Sequence, residues 1–499
     1  MKNTVICKNN IHFLIYTFIT TVILSMGDVF LDINRFATGI ILITLSIVLY
    51  FCLVFFVAGK NWLDIRAVFH GVWVFTIGLA SFRLTDYQER WQIKTWLCLA
   101  LAYLMFQVGS HLGIIFGKTI FDKFKNRFEK IKIDKLSFEL NENRYFWICL
   151  ITTLIGLLCF LINVAIRGYI PCFSNDINAY IKFYTKFHIF AVASTGVSGL
   201  CYYCIATQKI SKLKKAILLL CILYETFLFP VMVVSRGVFM ASALSLTVTV
   251  FYVHKKKFLV LIGCLAIIAS VYYGTSLLRN YSDEQLEVFF EPSKIEINTD
   301  SDDSNTDSDD SNTNSDDSNT NSEDSNTDSE DSTVKKTFSL PPKVAFIYTY
   351  LTVSHDNFNE AVQNSKEYTY GLHQFSPFNT IFRITEVEKR LENAKYYLVR
   401  PHLNTVNLIG FFYYDFHEWG VAIFMLLWSF IFGILQKITE FSKTPFVLLA
   451  LGNAMVPVAL CFFAGWMSVF SQWMLWGVVL IFAVTSTIKI DTNKKLKIN

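Results

Sequence analysis

The chain has 499 residues, of which 53% are hydrophobic, 16% aromatic and only 17% charged, with a mean hydropathy of +0.41 and a formal net charge of +4. That composition excludes a soluble globular enzyme and a disordered chain, and no nucleic-acid partner is expected. The apolar runs are continuous instead of alternating, which excludes a β-barrel and predicts an all-α polytopic membrane protein.

Runs long enough to cross a bilayer fall at about 11–31, 37–58, 66–83, 96–116, 145–166, 187–207, 216–235, 237–254, 258–277, 411–436, 445–464 and 467–488. This predicts about 12 transmembrane helices: nine in a membrane domain over 1–278 and three in a second over 411–499. One large hydrophilic loop, 279–410, separates the ninth span from the tenth. The first run has no small-residue cleavage site and carries Asp28, so it reads as a retained span. Basic residues crowd the loops after the fourth span (Lys118 to Lys135), the sixth (Lys209 to Lys215) and the eighth (Lys255 to Lys257), and the tail (Lys494, Lys495, Lys497). Positive residues stay inside, so both termini are expected in the cytoplasm and the 279–410 loop outside.

Three arginines stand at the outer ends of spans. Arg167 ends the fifth, in Arg-Gly-Tyr-Ile-Pro. Arg236 sits in Val-Ser-Arg-Gly at the tip of a tight hairpin between the seventh and eighth, where Gly237 would permit the sharp turn. Arg279 follows the ninth. A guanidinium fork pairs bidentately with phosphate oxygens, so the three suit a pyrophosphate-linked lipid. Ordinary snorkelling to the headgroup level would place them there too. The cysteines carry no comparable signal. Cys201 and Cys204 lie within a span, where a free thiol is a small hydrophobe, and Cys172 alone faces outward, so no outer disulfide is expected.

Residues 300–332 repeat a seven-residue acidic unit that holds 13 Asp and Glu, so the rest of the chain carries +17. It is too polar to bury a core and is expected to be disordered. It has neither the glycine nor the terminal Glu of a calcium loop, and its deletion should leave activity largely intact. Order is expected to resume near Pro341, with an apolar helix at 345–353 on the membrane surface and an amphipathic helix within 383–400. His355, Asp356 and Asn357 follow the first of these. Pro401-His402-Leu403-Asn404-Thr405 leads to the tenth span, where Tyr413-Tyr414-Asp415-Phe416-His417-Glu418-Trp419-Gly420 begins. His355, His402, Asp415 and Glu418 are candidate general bases, with His402 and Asp415 favoured by their nearness to the membrane, and a solvated residue or a helix cap as the plain alternative. No nucleotide loop, hydrolase triad order or metal-ligand spacing is present.

The segments Arg-Gly-Tyr-Ile-Pro-Cys-Phe-Ser at 167–174, Ser-Arg-Gly at 235–237, and Asn404-Thr405 followed by Phe412-Tyr413-Tyr414-Asp415-Phe416 resemble the Wzy-type O-antigen and oligosaccharide repeat-unit polymerases, as does the late large outer loop. His417 stands where that family often continues Asp-Phe with glycine, and its paired Arg-x10-Gly loop motif is not intact here. The resemblance implies an inner-membrane enzyme acting on undecaprenyl-pyrophosphate-linked oligosaccharide at the periplasmic face. A growing glycan would leave its lipid pyrophosphate for a sugar hydroxyl at the non-reducing end of a new lipid-linked unit. Arg236 and Arg279 would hold the pyrophosphate, with Arg167 and Arg400 as second choices, and His402 or Asp415 would be the acid/base group. Tyr413, Tyr414 and Trp419 would stack on sugar rings or else girdle the membrane interface. Neither nucleotide nor metal is required, and a chain-length regulator and a flippase are the expected partners. Two alternatives stay open. An O-antigen ligase shares this topology but delivers glycan to the lipid A core. A flippase or transporter would show internal repeats and mid-membrane polar residues, whereas the ionisable groups singled out here gather at span ends.

Overall fold

The computed structural model describes residues 2–130, 142–174, 179–254, 341–382, 384–401, 403–441 and 444–487, with a few more between 258 and 266. Within them the chain is helical, with no strand. The helices are α1 (Lys2–Ser25), α2 (Gly27–Ile33), α3 (Arg35–Cys52), α4 (Ile65–Ala80), α5 (Ile93–Lys130), α6 (Glu142–Arg167), α7 (Ala179–Lys182), α8 (Lys186–Ser194), α9 (Ser198–Thr207), α10 (Lys212–Leu223), α11 (Phe229–Met232) and α12 (Arg236–Val253). After the repeat come α13 (Pro342–Asn364), α14 (Leu372–Phe382), α15 (Thr385–Glu392), α16 (Gly410–Phe441), α17 (Pro445–Ala459) and α18 (Phe470–Thr487).

Seven described helical segments are long and apolar enough to cross a membrane: Arg35–Val57, Ile93–Thr119, Arg144–Arg167, Lys186–Thr207, Lys212–Met232, Arg236–Val253 and Gly410–Phe441. Four shorter apolar helices, Asn10–Ser25, Ile65–Ala80, Pro445–Ala459 and Phe470–Ala483, fall on four more of the expected spans. Most of the expected ninth span lies outside the described residues, and Arg279 and the acidic repeat lie wholly outside them. Large apolar side chains such as Leu14, Phe18, Ile40, Leu154 and Leu158 point outward from their helices, as lipid-facing positions do. Together these features fit an α-helical membrane protein.

The longest contact in the bundle is the seam between α5 and α16. Gly109, Gly113 and Gly117 recur every four residues along α5, and an ideal Cβ on Gly113 would stand 2.1 Å from the Phe430 carbonyl oxygen. Small residues at this spacing let two backbones approach closely, which is how helices associate where lipid supplies no hydrophobic drive. Around this seam Phe69, Trp73, Trp96, Tyr103, Phe106, Phe412 and Met425 form the main buried cluster.

Some segments read as uninterrupted spans are interrupted. α8 and α9 are joined by a 3₁₀ turn at Thr195–Val197, and α10 widens into a π turn at Tyr224–Leu228 before α11. The tight hairpin before α12 is present, but Gly237 lies inside α12, and the left-handed residue is Val234 at φ 51°. α12 begins instead on a cap, Ser235 Oγ accepting from the Val238 amide at 3.4 Å. The helix expected within 383–400 is only α15, which has no buried residue; the chain is non-helical from 394 to 400.

Segments expected on the outer side meet at one end of the bundle. Asp28 pairs with Arg90 at 2.9 Å, Leu408 N donates to Cys461 O at 2.8 Å, and Gln374 Nε2 donates to Ser468 Oγ at 3.0 Å. At the other end Tyr252 Oη accepts from Asn61 Nδ2 (3.1 Å) and Gln436 Nε2 (2.8 Å).

Candidate functional site

The centre of the first end is α13. It is not a surface helix: within 345–353 Phe346, Tyr348, Thr352 and Val353 are buried, and beyond them Ser354, His355, Asn357 and Phe358 are fully buried and Asp356 and Asn359 nearly so. A polar helix face tolerates such burial only when each group finds a partner. Here nearly every partner comes from a distant part of the chain. Gln88 Nε2 (2.9 Å) and Trp91 Nε1 (2.8 Å), from the turn between α4 and α5, donate to the Asp356 carboxylate. Asn359 Oδ1 accepts from the Gln92 amide at 3.0 Å and from Thr95 Oγ1 at 2.8 Å. Ser354 donates to the Phe462 carbonyl.

His355 is held on both ring nitrogens. Asn407 Nδ2 can only donate, so Nδ1 (3.1 Å) is the acceptor and Nε2–H donates to Thr76 Oγ1 at 3.0 Å. Burial pushes this imidazole down to about 3, so it is neutral near pH 7. With no lone pair left for a substrate proton, His355 is a structural residue and not the solvated one the sequence allows for. Burial also pushes the Asp356 carboxyl up to about 7 from its usual 3.8, although the Gln88 and Trp91 hydrogen bonds and the nearby Arg83 guanidinium pull the other way. The folded chain therefore holds this proton to higher pH than the unfolded chain. Where the unfolded state binds fewer protons, stability falls as pH rises. Unfolding of the detergent-solubilised protein should show stability lost between about pH 4 and 7, a slope that Asp356→Asn flattens. Equal slopes in the two proteins would contradict this assignment.

Asn357 secures the segment that carries Arg400 and Asn404. Its Nδ2 donates to the carbonyls of Leu403 (2.5 Å) and Thr405 (2.7 Å), and its Oδ1 accepts from the Val399 amide at 2.9 Å. Arg400, buried beside Tyr87, forms a 2.8 Å ion pair with Asp86. His402, the favoured base, lies outside the described residues.

Asp415 is completely buried and accepts three hydrogen bonds: Thr369 Oγ1 at 2.6 Å, His373 N at 3.1 Å and Gln374 N at 3.2 Å. The last two amides belong to the first turn of α14. A carboxylate there satisfies orphan donors and meets the positive end of the helix dipole. Asp415 thus caps a helix from another segment. Just after it α16 kinks, with Phe416 at φ −149° and His417 at φ 48°, ψ −134°, a conformation that favours glycine. His417 keeps it while stacked on Tyr413 (4.8 Å) and packed against the tilted ring of Tyr368 (4.3 Å). The kink also brings Gly420 against Phe412, where a Cβ would stand 2.0 Å from the carbonyl oxygen.

The remaining candidates separate. Arg236, buried at the start of α12, lies with its guanidinium 5.1 Å from the Phe346 ring and 4.8 Å from the Tyr350 ring, both on α13. Arg167 is exposed and donates to the Tyr184 carbonyl at 2.8 Å, with no described contact to α13. Tyr413 is buried, edge-on to Phe358 at 5.5 Å, so it packs the core instead of meeting a sugar. Tyr414 is buried too, its hydroxyl accepting from the Tyr397 amide at 2.9 Å. Trp419 is 74% exposed on the outside of α16, the position of an interfacial girdle residue. Glu418 pairs with Lys94 at 2.7 Å.

Beside the Asp415 cap opens a cleft of about 820 Å³, lined by the end of α13, the 365–372 turn and residues 390–397 and floored by Tyr414. Tyr368, Tyr370 and Tyr397 line it with Lys366 and Lys395. Sequence reasoning missed these residues and the Gln88–Trp91 clasp, because no spacing links the turn at 88–92 to α13 more than 260 positions later. Comparison with protein-family models, curated proteins and solved structures finds no match to this chain.

Proposed function

We propose that the protein is a membrane polymerase that joins lipid-pyrophosphate-linked oligosaccharide repeat units at the outer face of a bacterial inner membrane. One observation carries the reading. Of the segments that bear the resemblance, Ser-Arg-Gly at 235–237, Asn404-Thr405 and 412–416 all touch α13, through Phe346 and Tyr350, Asn357 and Phe358 respectively. Segments so far apart in the chain meet on one helix where a shared site would need them.

In this reading an acceptor hydroxyl attacks the anomeric carbon of the growing glycan, and the carbon–oxygen bond to the pyrophosphate breaks. Arg236, with Arg279, holds the departing pyrophosphate and stabilises the charge that develops on it. His402 takes the hydroxyl proton. Asp415, whose oxygens are engaged by α14, positions the fold around the site. Arg400, paired with Asp86, holds the 399–405 segment.

The glycan ladder of a deletion strain complemented with Arg236→Ala tests the assignment. Polymer beyond one repeat should fall by on the order of 10²-fold, as when an electrostatic stabiliser is removed from an acyl- or phosphate-handling site. A full ladder from a normally expressed variant would remove Arg236 from the mechanism.

A further inference from the structure

We propose that the cleft beside Asp415 seats the acceptor glycan, and that Lys366 and Lys395 make it select a repeat unit bearing an acidic sugar. The inference rests on the polymerase reading and names the substrate of that site.

The volume, about 820 Å³, falls within the ~300–1,000 Å³ typical of small-ligand sites. The argument turns on Tyr370. It is 74% exposed and sits at φ 51°, ahead of Gly371 at φ 84°. A turn of this kind is better served by glycine or asparagine, and a bare phenol ring gains nothing from water. Strain and exposure held together at one residue point to a ligand that uses the ring. Tyr368 stands 5.7 Å from Tyr370 and is backed by His417 at 4.3 Å, so the pair forms a supported aromatic platform. Sugar rings present apolar C–H faces that suit such a platform, while their hydroxyls suit the tyrosine oxygens.

Charge narrows the class. Arg390, also on the lining, is engaged by Glu386 at 2.9 Å. Lys366 and Lys395 then outnumber the single lining carboxylate, Glu367. The cleft is also tied to the chemistry: Thr369 N donates to Tyr414 O at 3.0 Å and Tyr370 N to Asp415 O at 3.2 Å, so its wall and the α16 kink are one unit.

The test is calorimetric titration of the purified full-length protein with the oligosaccharide released by mild acid from the producing strain's lipid-linked repeat unit. The same oligosaccharide with its carboxylates reduced to alcohols is titrated alongside. The native form should bind more tightly than the reduced form, and Tyr370→Ala should weaken both by about tenfold. Lys366→Ala/Lys395→Ala should abolish the difference between the two forms. Absence of saturable binding, binding unchanged in Tyr370→Ala, or an oligosaccharide that lacks acidic sugars would each overturn the proposal. The two readings fail separately. Binding as described without chain extension in vesicles sinks the polymerase and leaves a glycan site, whereas chain extension with an unchanged acceptor KM in Tyr370→Ala sinks the cleft alone.

Discussion

Asn357→Ala should lose about 3 kcal/mol of stability, since the buried Leu403 carbonyl and the half-buried Thr405 carbonyl and Val399 amide lose their partner together. Each such hydrogen bond contributes about 1 kcal/mol net, and leaving a buried group unsatisfied costs about 1–3 kcal/mol. Some relaxation toward water will recover part of this. The effect is also directional. Freed of Asn357, the segment around Val399, Leu403 and Thr405 loses its hold on α13, and with it the placement of Arg400. Thermal unfolding in detergent reads the first consequence, and protease sensitivity confined to 399–405 reads the second. Asn357→Asp keeps the acceptor for Val399 but sets a carboxylate oxygen against two carbonyls, so it should be no better than alanine. A variant that unfolds at the wild-type temperature would show that these bonds do not hold the segment.

Gly113→Val should severely damage the packing of α5 against α16. The first added carbon alone would meet the Phe430 carbonyl oxygen at 2.1 Å and the Ile434 amide nitrogen at 3.0 Å, both backbone atoms that no rotamer change can move aside. Overpacking of this kind costs about 3 kcal/mol or more when a backbone must shift. Gly109 and Gly433 lie in the same seam, with Cβ contacts of 2.1 Å to Ser429 Oγ and 2.2 Å to the Ser110 carbonyl, so the strain cannot be spread along it. Size-exclusion chromatography of the detergent-solubilised variant should show loss of the monodisperse peak, whereas Gly263→Ala, where the structure leaves open space, should behave as wild type. A stable, monodisperse Gly113→Val protein would mean that α5 and α16 do not pack as described.

The helical membrane architecture was legible because a lipid-spanning helix announces itself in some twenty consecutive apolar residues, as Arg35–Val57 does. What hydropathy cannot register is a polar helix whose partners lie elsewhere. The apolar run 345–353 was expected as a surface helix with His355, Asp356 and Asn357 beyond its end, whereas one helix carries them all and only Thr76, Gln88, Trp91, Thr95 and Asn407 make its polar residues an interior. Asp415 stood out in the sequence as a candidate base, with a helix cap as the plain alternative. That its task is capping α14 depends on the His373 and Gln374 amides, and no spacing rule connects a cap to a helix 40 residues upstream. The turn before α12 was legible as a turn, yet the left-handed residue proved to be Val234 instead of the nearby glycine. Three of the four motif stretches do share a helix, and that convergence was not visible in any one of them.

The most direct measurement is made on the purified protein in proteoliposomes supplied with single lipid-pyrophosphate-linked repeat units as both donor and acceptor. The account predicts a ladder of lengthened lipid-linked glycans, with one free lipid pyrophosphate released for each new bond and no need for a nucleotide. Units that stay single under these conditions, or glycan that moves only when a lipid A core acceptor is added, would contradict it.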